Sequence, residues 1–171
     1  MRASVLIPVK NGGALLGDVL DAVLAQETAW PFEVLVVDAG ATDGSVEGAQ
    51  SRHVNFAAIP PQEFSHGGTR NLLARRSRGE FLVFLTQDAK PASNGWLASL
   101  VAGCDSDPSV AGAFGPHRAY PAARHITHRE LDAHFAGFGA SLNVTRIEDP
   151  QRFENDPGYR QYLHFFSSNN S

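Results

Sequence analysis

Along the first 115 residues, short apolar runs alternate with longer amphipathic stretches. The runs are "SVLIPV" (4–9), "FEVLVVD" (32–38), "VNFAAI" (54–59), "EFLVFLT" (80–86) and "VAGAFG" (110–115). Most lack polar alternation, as parallel strands covered on both faces do. The stretches between them read as helices. In "ALLGDVLDAVLAQ", Leu16, Val19, Leu20, Val23 and Leu24 recur at spacings of three and four and fall on one helical face. "ATDGSVEGAQ" opens with Thr42-Asp43, good N-cap chemistry, and "TRNLLARRS" and "GWLASLVAG" supply two more short helices. This alternation predicts an α/β fold, a doubly wound, mostly parallel sheet with right-handed crossovers.

After about residue 116 the pattern changes. One helix is expected over roughly 125–136, behind a proline-interrupted loop. "NVTRIEDPQRFENDPGYRQ" is polar with two prolines and reads as a loop or a mobile segment. The closing "YLHFFSSNNS" reads as an apolar strand start running into small polar residues.

Composition narrows the class. A chain of 171 residues, 43% hydrophobic and 19% charged, suits one soluble domain with a real core. A formal net charge of −4 gives no ground for nucleic-acid binding by overall charge, and the one dense basic cluster, Arg70, Arg75, Arg76 and Arg78, is local. A single cysteine, Cys104, excludes an intramolecular disulfide and a cysteine-rich zinc site. No apolar stretch approaches the ~20 residues that span a bilayer. The expected location is cytoplasmic, with room for peripheral association at the inner face of the membrane.

In an open parallel sheet, ligands bind beyond the carboxyl ends of the strands, where the strand order reverses. That rule selects Pro8-Val9-Lys10-Asn11, Asp38-Ala39-Gly40 and Thr86-Gln87-Asp88, with "HGGTRN" (66–71) opening the helix before the fourth strand. Asp38 could accept hydrogen bonds from ribose hydroxyls or a base N–H, or could cap its own turn, "DAGATDG". Asp88 could ligate a hard divalent cation bridging a diphosphate, or cap the helix near "ASNGWL", several residues away. Arg70 could hold phosphate bidentately or be a solvated helix residue, the use preferred for Arg75, Arg76 and Arg78. No G-x-G-x-x-G follows the first strand and no P-loop is present, which disfavours a dinucleotide site of that kind.

The other reactive side chains add little. Of His125, His128 and His134, only the first pair shares a helical face, so zinc has little support. His66, beside two glycines, is either functional or a buttress for its turn. Cys104 has no activating neighbour in sequence and reads as packing, and no serine triad assembles.

Taken together, "SVLIPVKNGG", "FEVLVVDAGATDGS", "HGGTRNLLARRSRGEFLVFLTQDAKP" and "FFSSNNS" resemble the family 2 glycosyltransferases of the GT-A fold, closest to bacterial rhamnosyltransferase-like members. The resemblance covers essentially the whole chain. It implies a nucleotide-diphospho-sugar transferase-like sheet. Residues 1–116 would form the nucleotide-sugar-binding core, and 117–171 the start of an acceptor-side region of the same domain. Pro8, Val9 and Asn11 would line the base and ribose, Asp38 and Gly40 would meet the base or ribose, and Arg70 would lie near base or diphosphate. "TQDA" takes the place of the family's D-x-D motif, so Gln87 and Asp88 would face the donor and Asp88 would hold Mg²⁺ or Mn²⁺. Thr86 stands where the first Asp usually is, which implies weaker metal binding, and Ala39 and Ala41 depart from the common "DDGSTD".

The activity so implied is inverting transfer from a nucleotide-sugar donor (dTDP- or UDP-linked) to a glycan or lipid-linked acceptor, in polysaccharide synthesis. The family's catalytic carboxylate follows the "SSNNS" segment, so no catalytic base is assigned, and little turnover is expected of these 171 residues alone. Two competing readings are a nucleotide-binding module without catalysis and a nucleotidyltransferase. The latter is disfavoured by the missing Gly-rich, Lys/Arg-bearing loop after the first strand.

Overall fold

The structure is a computed structural model that describes residues 1–136 and 144–163. Four parallel strands form one sheet: β1 (Ala3–Val9), β2 (Phe32–Asp38), β3 (Asn55–Ala58) and β4 (Phe81–Phe84), in the order β3-β2-β1-β4. The helices that link them are α1 (Gly13–Leu24), α2 (Ser45–Gln50) and α3 (His66–Arg76), and α4 (Trp96–Asp105) follows β4. The chain therefore steps outward from β1 to β3, then returns to place β4 against the opposite side of β1.

The two faces of the sheet have separate cores. On one, Val5, Ile7 and Val9 of β1 and Val34 and Val36 of β2 pack with Leu16, Val19, Leu20 and Val23 of α1, Ala49 of α2 and Leu97, Leu100 and Val101 of α4. On the other, Leu6, Leu35 and Val37 meet Leu73 of α3. Successive strand residues point to opposite faces, which is why uninterrupted "VLI" and "VLVV" can feed both cores. Helices on both faces make the sheet doubly wound, as the alternation predicts. Leu24 departs from its expected face and is 37% exposed, at the last residue of α1.

Near the amino ends of β1 and β2 a buried carboxylate holds several segments. Glu33 accepts from the Ser4 hydroxyl at 2.7 Å, the Arg78 N–H at 2.7 Å and the Arg78 guanidinium at 2.8 and 3.0 Å. Burial pushes the Glu33 carboxyl upward, but the Ser4 and Arg78 hydrogen bonds outweigh it and hold the group below its ordinary range.

Three expectations change. "VAGAFG" forms no strand: four of its six residues are Ala or Gly, which carry too little side chain to stabilise a pleated surface. Among the described residues β4 is consequently an edge strand, and Leu82 is 40% exposed. The segment expected as a loop contains two helices, α6 (Pro150–Asn155) and α7 (Pro157–Leu163). Each proline sits at the first helical position behind an aspartate. Asp149 accepts the Arg152 N–H at 2.8 Å and Asp156 accepts the Tyr159 N–H at 3.0 Å, so Asp-Pro here starts helices rather than breaking them. α7 runs through Leu163, so the expected strand start at Tyr162 is not formed, and the rest of "YLHFFSSNNS" lies outside the described residues.

The chain divides into a compact unit spanning Met1–Ala113 and a second beginning at Phe114. In the second, α5 (His125–Phe135) buries Phe135, whose ring lies 5.1 Å from that of His117 and 4.8 Å from that of His134. No helix among the described residues is long and apolar enough to cross a membrane.

Candidate functional site at the carboxyl edge of the sheet

β1 is where the strand order reverses, so the crevice expected of such a sheet opens between the carboxyl ends of β1 and β4. Three loops border it, and their own side chains tie them together. Asn11, at a left-handed φ of +52°, accepts the Thr42 N–H on its Oδ1 at 2.8 Å, joining the loop after β1 to the loop after β2. Gln87 exchanges two hydrogen bonds with the Lys10 main chain, at 2.7 and 3.1 Å, joining that loop to the turn after β4. Asp43 accepts the Gly13 N–H at 2.8 Å and the Ser45 N–H and hydroxyl. The Ser45 hydroxyl is the main cause that holds the Asp43 carboxyl below its ordinary range, with the Ser45 and Gly13 N–H groups adding to it against desolvation.

Each expected residue can now be placed. Pro8 and Val9 end β1 in register with Val37 and Asp38. Val9 is 2% exposed and packs in the core, and its carbonyl accepts the Ala39 N–H at 2.9 Å. Asp38 is buried and turned onto its own loop, accepting from the Gly40 N–H at 2.9 Å and the Ala41 N–H at 3.1 Å. Turn-capping is therefore realised. Oδ2 accepts from both N–H groups, and Oδ1, which accepts from Ala41 alone, keeps a second lone pair.

Gly40 has φ +80°, and a Cβ built there would lie 2.5 Å from Pro61 Cγ. A glycine is needed both for the backbone and for the close approach of the loop after β3. Asp88 is exposed on a turn closed by the Ala89 N–H on the Thr86 carbonyl. It does not cap α4, whose N-cap is Gly95 and whose Leu97 N–H goes to Gln26.

Arg70 lies one turn into α3, behind a Ser65 N-cap. One guanidinium nitrogen donates to the His66 carbonyl at 3.2 Å, while its Nε is buried and lacks an acceptor. A buried, charged donor without a partner is costly. His66 itself packs edge-on against Phe64, the buttressing role considered for it. Cys104 is half-buried, and burial, with Asp105 adding, raises its thiol pKa, which makes it unreactive.

No three His, Cys, Asp or Glu side chains among the described residues gather closely enough to hold an ion. Mg²⁺ and Mn²⁺, however, are held by one or two carboxylates when phosphate and water complete the shell. The exposed Asp88 fits a cation that arrives with a diphosphate. It does not fit a permanent protein cage.

Two cavities lie elsewhere. One of about 300 Å³ is lined by Leu35, Ala57, Leu73, Arg76 and Arg78 on the α3 face. The other, about 350 Å³, is lined by Gly13, Gly17, Asp43, Gly48 and Arg52. Of the charges that line them, Arg78 is paired with Glu33 and Arg52 with Asp21.

Sequence reasoning missed the loop-stitching roles of Asp43, Thr42 and Lys10. Asp43 was legible only as helix-cap chemistry, and Lys10 and Thr42 act through main-chain groups that no side-chain pattern reveals.

Residues 4–167 match the Glycosyl transferase family 2 pattern. The chain is 37% identical over 131 residues to the O-antigen chain rhamnosyltransferase RfbN of Salmonella typhimurium, covering 73% of this chain and 41% of that protein. It is 32% identical to the O-antigen chain rhamnosyltransferase WbaN of Salmonella anatum, covering 71% and 40%. It thus spans about two fifths of the length of these relatives. Among solved structures, Staphylococcus aureus TarS 1-349 matches with a TM-score of 0.56 at 23% identity, over 71% of this chain and 40% of that one. The mannosyltransferase PcManGT from Pyrobaculum calidifontis, in complex with GDP-Man and Mn²⁺, matches with a TM-score of 0.54 at 27% identity, over 64% and 33%. The doubly wound sheet is thus the fold of solved glycosyltransferases, and the chain belongs to Glycosyl transferase family 2.

Proposed function

We propose that this chain is the donor-binding part of an inverting glycosyltransferase, which moves a sugar from a dTDP- or UDP-linked donor to a hydroxyl of a glycan or lipid-linked acceptor. The observation that carries the reading is Asp88, exposed on the turn where the strand order reverses and bordered by the stitched loop that ends β1. The curated relatives, both O-antigen rhamnosyltransferases by description, support the substrate class.

In this reading Pro8, Val9 and Asn11 form the wall beside base and ribose, Val9 through its main chain, and Asn11 retains an amide NH₂ to donate. Asp38 and Gly40 shape the floor, Gln87 flanks the phosphates, and Arg70 takes a phosphate oxygen on its orphaned Nε. Asp88 would hold Mg²⁺ or Mn²⁺, which supplies charge neutralisation for the leaving diphosphate. The acceptor oxygen gives up its proton and bonds to the anomeric carbon, while the nucleoside diphosphate leaves with the electron pair of the broken C–O bond. The base that takes the proton is not assigned to any residue of this chain. Residues 1–116 serve the donor and 117–171 begin the acceptor side, at the cytoplasmic face of the membrane.

A second reading, a nucleotide-binding module without turnover, is favoured by Thr86 standing where a second carboxylate would. Thermal denaturation with UDP, dTDP and GDP, with and without Mn²⁺, combined with assay of nucleoside diphosphate release from the matching sugar donors, tests both. The expected result is a raised midpoint with UDP or dTDP, enlarged by Mn²⁺, and slow release. At ligand 100-fold above Kd the stabilisation is about 2.7 kcal/mol. Binding with no release at all favours the module, and no shift with any nucleotide refutes both readings.

A further inference from the structure

We propose that Gln87 is a positioning residue: its carboxamide replaces the β1–β4 strand pairing where Pro8 interrupts it, and so sets the width of the crevice between the loop at Lys10-Asn11 and the turn that carries Asp88. The inference rests on the reading that this edge binds a nucleotide. It assigns Gln87 to the protein's own main chain rather than to the donor.

The geometry comes from β1 itself. Along a strand, successive main-chain groups alternate between the two neighbours. The Leu6 carbonyl accepts the Leu85 N–H of the β4 side at 3.1 Å, and the Val9 carbonyl accepts the Ala39 N–H of the β2 side at 2.9 Å. Even-numbered positions therefore face β4, and Pro8 and Lys10 belong to that set. Pro8 has no N–H to donate, so it cannot continue the ladder. The register of β1 with β4 runs only from Ala3↔Phe81 to Leu6↔Phe84, whereas β1 pairs with β2 as far as Val9↔Asp38.

Beyond Pro8 the two strands are thus released from each other, which opens the crevice. Two residues further on, the Lys10 N–H donates to Gln87 Oε1 at 2.7 Å and Gln87 Nε2 donates to the Lys10 carbonyl at 3.1 Å. A primary carboxamide offers the same donor and acceptor as a peptide group. Gln87 thus closes the ladder again with a side chain in place of a main-chain group. Its amide oxygen also lies 3.5 Å from where a Cβ on Gly12 would sit, so the clamp packs against the start of α1.

A carboxamide committed at both ends acts on the donor through Asp88 and Asn11, the groups on either side of it. The test uses the full chain, with Gln87→Ala and Gln87→Glu, read by amide hydrogen exchange and by calorimetric titration with UDP and dTDP. In Gln87→Ala the Lys10 amide should exchange at least about tenfold faster while β1 residues 4–7 keep their protection. Nucleotide affinity should fall about three- to tenfold, with or without Mn²⁺, consistent with the loss of one or two modest hydrogen bonds. Gln87→Glu keeps the acceptor and should restore the Lys10 protection.

Weaker binding with unchanged Lys10 exchange would make Gln87 a direct donor contact and overturn the proposal. Faster Lys10 exchange with unchanged affinity would overturn it too, as would loss of protection spread over the whole of β1. A parent chain that bound no nucleotide would remove the functional reading and the positioning role with it, while the exchange data would still decide whether the clamp exists.

Discussion

The Asp43 carboxylate accepts the Gly13 N–H at 2.8 Å, which places a negative charge of the protein's own at the first turn of α1. In dinucleotide-binding folds that helix start receives the pyrophosphate. Here it is already occupied by the protein's own carboxylate, in keeping with a proposed phosphate site on the β4 side of β1. Asp43→Ala should lower the thermal midpoint by a few degrees, and Asp43→Asn, which keeps one acceptor, by less. Neither variant should gain a stabilising response to NAD, because the Gly-rich loop that would cradle it is absent.

Stability should fall on the acid side. Glu33 and Asp43 both have folded pKa values below their ordinary ones, so the unfolded chain takes up protons first as the pH drops. Their contribution is fully present above the ordinary carboxylate range, about 4–4.5. It is lost as pH falls through that range to the lower folded values. Urea midpoints measured from pH 7 to pH 3 should decline below about pH 5, and Glu33→Gln should flatten the decline. At pH 7 the same variant should be about 1–3 kcal/mol less stable, because Ser4 and Arg78 lose a charged acceptor.

Gly40 and Pro61 make a separable pair. Gly40→Ala should cost about 1–2 kcal/mol from the left-handed backbone alone, plus a further loss from the Cβ contact with Pro61. Adding Pro61→Ala should recover only the contact part. Full recovery in the double variant would show that the φ of +80° carries no cost.

The fold was legible where side-chain pattern and period coincide: β1, β2, α1 and the α/β alternation follow from runs of Val, Leu and Ile that either side of a sheet can absorb. It was not legible where one residue type has two opposite meanings. Pro150 and Pro157 read as breakers, and only the preceding Asp149 and Asp156 distinguish a helix start from a stop. Asp149→Ala should therefore remove about 1 kcal/mol from α6, seen as a loss of helical circular dichroism. At the candidate site the positions were legible from the strand ends, but the partners were not. Asn11 and Gln87 face main-chain groups of loops far away in sequence, and a single sequence carries no record of those contacts.

In the proposed function Asp88 holds a divalent cation on a bound nucleoside diphosphate. Titration of UDP or dTDP into the chain in the presence and absence of Mn²⁺, for the parent and for Asp88→Ala, tests it most directly. The expected result is metal-enhanced affinity in the parent and equal affinities with and without Mn²⁺ in the variant. An Asp88→Ala chain that kept the whole metal-dependent gain would contradict it.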